Sequence, residues 1–216
     1  MIKRDYMKEI ENSLKLVREE VEEGIIFKSP EKAFFTINKE LKGLVGLDLE
    51  TINTLSFNSI KDMLSGENEY NAEKYIALGE LLRLKGNLLL RLEDESEGIY
   101  YYNKGLLAFC QALEEDESIA VGYQLNIETI LEELNKYHLT IDENIVIFRM
   151  NELLRKYDKA EDILFHMLKE SDNGKDIIRL GIEFYSRLKN VLEDDLIKGN
   201  LPIDEVIDGL EQLNKA

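Results

Sequence analysis

Only two prolines, Pro30 and Pro202, occur in 216 residues, and that scarcity constrains the chain more than any other feature. Proline ends helices by withholding an N–H donor and crowding the preceding turn, so long stretches here contain nothing to stop a helix once begun. Apolar residues meanwhile recur every three or four positions. Tyr6, Ile10, Leu14, Val17 and Val21 do so with Glu11, Lys15, Glu19, Glu22 and Glu23 between them, which predicts one amphipathic helix of about 20 residues. Ser29-Pro30-Glu31 combines a capping hydroxyl, a first-turn proline and an acid facing the helix dipole, and predicts a second helix through Phe34, Ile37 and Leu41. From Gly43 to Gly66 the pattern is less regular and reads as two short helices, the second opening at Ser56 and stopping near Ser65-Gly66.

From Asn71 the signal strengthens. Tyr75, Leu78, Leu82 and Leu89 share a face of a helix that runs to about Leu92, where EDESEG interrupts it. Ile99, Tyr102, Leu106, Phe109 and Leu113 mark the next helix. There Tyr100, Tyr101, Leu107, Ala108 and Cys110 leave only Glu97, Lys104 and Gln111 as a narrow polar strip. A helix apolar nearly all round belongs in the middle of a fold. Further helices are predicted through Ala120, Tyr123, Ile127, Leu131 and Leu134, from about Asp142, from Tyr157 to Leu168, from Gly174 through Leu188 and Val191, and from Pro202 through Val206, Leu210 and Leu213. The fold class is therefore all-α, with nine or ten helices. No Pro-, Gly- or Ser-rich stretch marks a linker, which favours a single helical domain over residues 1–216.

With 44 acidic against 27 basic side chains the formal charge is −17. Nucleic-acid backbones and anionic lipid surfaces carry the same sign, so neither is expected as a partner. The charge is spread along the chain, at −4, −7 and −6 over residues 1–70, 71–140 and 141–216, so no acidic tail stands apart. One cysteine cannot form an internal disulfide, and MIKRDYMKEIE places charges where a secretory signal needs an apolar run. A cytoplasmic location is expected.

An internal repeat is faintly present. Ala72-Glu73-Lys74-Tyr75, then Leu78-Gly79, Leu82 and Gly86, resemble the first helix of a tetratricopeptide repeat, and Gly98, Tyr102 and Gly105 resemble its second. Gly86 to Gly98 is 12 residues, where the family has about five, which lengthens the hairpin by about two turns. A partial second copy begins Tyr157-Asp158-Lys159-Ala160 and continues to Phe165, although its first helix carries Asn144, Ile147 and Phe148 where aromatic, Leu and Gly are expected. The resemblance implies antiparallel hairpins stacked as a right-handed array: N-terminal helices over 1–70, a repeat-like core over 71–170, and capping helices over 171–216. RDYMKEIE together with YDKAEDILFHMLKE also resembles an uncharacterised bacterial family of acidic, repeat-like helical proteins, which implies a fold and no reaction.

Catalytic chemistry is hard to find. His138 and His166 lack the Glu three residues earlier that a di-iron bundle uses, and Asp162, one turn before His166, suggests a surface ion pair. Cys110 sits among Leu106, Leu107, Phe109 and Leu113 as a small core hydrophobe. Glu114-Glu115-Asp116-Glu117 and Asp194-Asp195 lack the alternation around a glycine that calcium loops require, and no glycine-rich phosphate loop can be read. No enzyme activity, metal or cofactor is expected. The repeat register instead implies a concave surface for a protein or peptide partner, lined by Ile76, Glu80 and Arg83 from the first hairpin and Ile145, Arg149 and Glu152 from the second. In that reading the two arginines orient an acidic group on the partner. The alternatives are a small-molecule sensor or enzyme with an interhelical pocket, and a structural homo-oligomer.

Overall fold

The computed structural model describes residues 2–65 and 71–215, so Gly66, at the expected end of the second short helix, lies outside the described residues. Two compact units divide the chain, residues 1–137 and 138–216. The segment 71–170, expected as one repeat-like core, therefore contributes to both. Every regular element among the described residues is helical, as the unbroken periodicity requires. Helical segments are more numerous than the nine or ten expected, because several are shorter than nine residues and fall below what periodicity resolves. No helix among the described residues is long and apolar enough to cross a membrane.

In the first unit, α1 (Ile2–Phe27) buries Ile10, Leu14, Val17 and Val21 and lies along α5 (Asn71–Arg91). α2 (Glu31–Glu40) starts one residue later than the capping pattern suggests: Pro30 stands at the N-cap, and the Ser29 hydroxyl donates to the Glu31 carboxylate (2.8 Å). A π turn, Leu41–Val45, continues α2 and closes when Gly46, at φ +82°, donates its N–H to the Leu41 carbonyl (3.1 Å). Two short helices follow, α3 (Leu49–Thr54) and α4 (Phe57–Leu64). Asp48 caps α3 by accepting the Thr51 N–H (2.8 Å), and Ser56 caps α4 through the Ser59 N–H (3.2 Å). Beyond α5 come α6 (Glu95–Glu115), the single turn α7 (Glu117–Ala120) and α8 (Gln124–Leu134).

The α5–α6 hairpin is the centre of this unit. Both helices are buried on most sides, and Cys110 lies inside with 3% of its surface exposed. Glycine sets how closely they approach. A Cβ placed on Gly105 would stand 3.2 Å from the Gly79 carbonyl oxygen, and one on Gly79 would stand 3.0 Å from carbons of the Phe109 ring. Further along, a Cβ on Gly86 would come within 2.5 Å of Tyr102 Cδ1. Glycine inside a helix costs about 1 kcal/mol relative to alanine, and this packing is the compensation.

The second unit opens with α9 (Ile141–Leu153), whose capping box pairs the Thr140 hydroxyl with the Glu143 N–H (3.3 Å) and the Glu143 carboxylate with the Thr140 N–H (2.7 Å). α10 (Tyr157–Glu170), α11 (Lys175–Leu188), α12 (Glu193–Lys198) and α13 (Ile203–Leu213) complete it around Phe148, Leu164, Phe184, Tyr185, Leu196 and Val206. Phe148 and Phe184 meet edge to face with centroids 5.1 Å apart. Gly209 makes room for Tyr185: a Cβ there would stand 2.4 Å from Cζ of the ring, whose hydroxyl donates to Glu161 (2.5 Å).

The glycine account separates two substitutions. Gly86→Ala must displace the Tyr102 ring and should lower stability by about 1–3 kcal/mol through overpacking. Gly43→Ala meets nothing within 4 Å and should be neutral or stabilising by up to about 1 kcal/mol. Urea unfolding monitored by circular dichroism measures both, and equal midpoints would refute the close-approach role of Gly86.

Candidate functional site

Of the residues expected on an open groove, those of the first hairpin are enclosed. Ile76 and Glu80 are both buried, with 0% of their surface exposed. α1 and α8 reach over this face of α5 and bond to the carboxylate inside it. Arg83 grips Glu80 with two donors, Nε to Oε1 (3.1 Å) and Nη2 to Oε2 (2.9 Å). Arg18 of α1 adds Nη2 to Oε2 (3.3 Å), and Asn126 of α8 adds Nδ2 to Oε1 (2.8 Å). A buried carboxylate needs such a set, because its desolvation is repaid only by opposite charge and fully used lone pairs. Arg83 is consequently committed to Glu80, its side chain only 12% exposed, and is not a cation held ready for a partner.

The other three expected residues belong to the second unit. Ile145 is half-buried against that unit's core, and Arg149 is exposed. Glu152 accepts from Arg187 twice, Nε at 2.7 Å and Nη2 at 2.9 Å. Elsewhere in that unit His166 lies 3.7 Å from Glu170, one turn on, where the sequence suggests Asp162, one turn back. Both spacings put a carboxylate on the histidine's face, so the pattern alone does not choose.

A cluster that sequence reading did not assemble lies where α2 and α3 meet the central hairpin. Lys104, from the expected polar strip of α6, is buried and donates its ammonium to the carbonyls of Ile52 and Leu55 (3.1 Å for Leu55), at the end of α3. The Tyr101 hydroxyl donates to Asn53 Oδ1 (2.7 Å), and burial pushes it up to about 12. Lys85 of α5 places its Nζ 4.2 Å from the Tyr101 ring centroid and 4.9 Å from that of Phe34. Burial lowers the pKa of both lysines, partly opposed at Lys85 by Glu97. The partners in this cluster are 48 to 52 residues apart for Tyr101 and Lys104, so no local motif announces it.

A third feature is apolar and exposed. Ile26 and Phe27 at the end of α1 are 71% and 72% exposed, and Phe35 of α2 is 72% exposed. Lys32 bridges the two helices, 2.9 Å from Glu20 and 3.7 Å from Glu23. Helical spacing puts Leu16, Glu20, Glu23 and Phe27 on one stripe of α1, and Lys32 and Phe35 on the facing stripe of α2. The α1–α2 hairpin thus carries three large exposed apolar side chains beside the Lys32–Glu20 pair.

A family profile described as "Family of unknown function (DUF6483)" matches residues 1–216, and the chain belongs to that family. Neither the curated proteins nor the solved structures contain a match.

Removing the central carboxylate should be expensive. Glu80→Ala leaves the largely buried Arg83 without its counter-charge and should cost about 3–5 kcal/mol, whereas Arg18→Ala, at a side chain 44% exposed, should cost about 1 kcal/mol or less. Chemical unfolding of the two variants decides the point. Equal losses would mean that Glu80 is solvated.

Proposed function

We propose that this chain is a protein-binding helical module of the cytoplasm, with the α1–α2 face as its working surface. The observation that carries the reading is the exposure of Ile26, Phe27 and Phe35 on one hairpin. Large apolar groups left in water together mark interaction surfaces, and aromatic anchors supply most of the affinity at such sites. The fitting partner is an amphipathic helix with basic flanks, since the protein as a whole stands at −17 and would attract it. Membrane surfaces and nucleic acids are disfavoured by the same charge.

Within this reading the α5–α6 hairpin is a tetratricopeptide-like repeat. Support comes from Leu78-Gly79, Gly86, Gly98, Tyr102 and Gly105, whose spacing resembles the family's and whose glycines admit close approach. The concave face that the resemblance implies is occupied here by the chain's own α1 and α8 around Glu80, which moves the binding surface outward to α1–α2.

The test places a photocrosslinking amino acid at Phe35 or at Lys15, an exposed position elsewhere on α1, in cells that make the protein. A discrete adduct from position 35 and none from position 15 is expected. Phe27→Ser with Phe35→Ser should weaken recovery of that partner by at least about thirtyfold, corresponding to loss of hot-spot contacts worth about 2 kcal/mol or more, at unchanged melting temperature. Equal or absent adducts from both positions would overturn the reading.

A further inference from the structure

The α1–α2 hairpin carries its charge in two separate stripes. On α1, Leu16, Glu20, Glu23 and Phe27 recur at helical spacing, and Leu16, Glu23 and Phe27 are exposed. On α2, Lys32, Phe35 and Lys39 recur in the same way, and all three are exposed. One stripe is acidic and the other basic, and each holds an exposed phenylalanine. Within the chain Lys32 stands 2.9 Å from the half-buried Glu20 but 3.7 Å from Glu23, whose side chain is 60% exposed. Lys39 reaches its chain neighbour Glu40 at 3.4 Å. Exposed pairs of this kind are weak, so they exchange readily for pairs across an interface. α2 therefore offers what the α1–α2 surface asks of a partner, an exposed aromatic between two lysines.

We infer that the occupant of the α1–α2 surface is a second copy of this chain, in a two-fold dimer in which α2 of each copy lies against α1 of the other. The dimer rests on the reading of that hairpin as the working surface. A two-fold contact must be complementary to itself, because whatever α1 meets on the other copy, the other copy's α1 meets here. Two arrangements of the hairpins satisfy this. Setting α1 on α1 and α2 on α2 opposes acid to acid and lysine to lysine, which is costly. Setting α1 on α2 opposes acid to base twice, with Glu23 of each copy beside Lys32 of the other, and covers Phe27 and Phe35 of both. The charge of −17 on each chain repels the other copy at long range. Salt at physiological strength screens charges separated by more than about 8 Å, so the charges in contact decide. A contact made by one hairpin from each copy is small, which makes the dimer reversible and dependent on concentration.

The purified full chain, carrying a photocrosslinking amino acid at position 35, is mixed with isotope-labelled wild-type chain and irradiated, and the joined peptides are identified by mass spectrometry. An adduct of twice the chain mass is expected, joining position 35 to the segment 16–27 of the labelled copy. Light scattering over a concentration series gives the dissociation constant. Lys32→Glu and Glu23→Lys should each raise it about tenfold or more at unchanged melting temperature, and an equimolar mixture of the two variants should recover the wild-type value, since each then meets its opposite charge. The cross-link requires neither variant to fold. Position 35 joined to α2 of the other copy, or a chain still monomeric at about 0.5 mM, would overturn the dimer. A monomer that still gives a discrete adduct with a different protein in cells would overturn the dimer and leave the working surface standing, whereas no adduct with any protein would remove both.

Discussion

Close contact between α5 and α6 is the constraint on which the first unit depends. Glycines on both helices let the backbones approach until a carbonyl oxygen and a ring sit where side chains would otherwise stand. Two helices packed that tightly, and apolar on most sides, must be covered on most sides. α1, α2 with its π turn, α7 and α8 do the covering, and the end of α3 is bonded to α6. The covering in turn traps polar side chains that the hairpin carries. Glu80 is answered from α1 and α8, and Lys104 from α3, so the polar groups that burial makes costly also fix which elements lie where.

Much of this was legible in the sequence, because it depends on spacing within one helix. The helices α5 and α6 and the inward Cys110 follow from the apolar spacing within each helix. What was not legible depends on partners far along the chain. Glu80 reads as a surface acid until Arg18, 62 residues before it, and Asn126, 46 residues after it, are brought alongside. Lys104 reads as part of a solvated strip until the carbonyls of α3 arrive. The π turn at Leu41–Val45 was missed for a different reason, since one extra residue in a turn leaves almost no mark on an apolar pattern.

The same reasoning places the proposed binding surface away from the repeat register. A register borrowed from repeat proteins points to the exposed side of a first helix, but here that side is filled by the protein's own charge cluster. Large apolar side chains stand exposed instead on α1–α2, at Ile26, Phe27 and Phe35. Exposed apolar groups depart from what folding alone requires, and the proposed function is sought there for that reason.

The central claim, that the first unit is hung on the α5–α6 hairpin, makes a direct statement about local stability. Native-state hydrogen exchange resolved by residue would test it. Amides of α5 between Tyr75 and Leu89, and of α6 between Tyr102 and Leu113, should be the slowest in residues 1–137 and should exchange only with global unfolding of that unit. If amides of α1 or α8 outlasted them, the hairpin would be a passenger on a scaffold made elsewhere, and the account would be wrong.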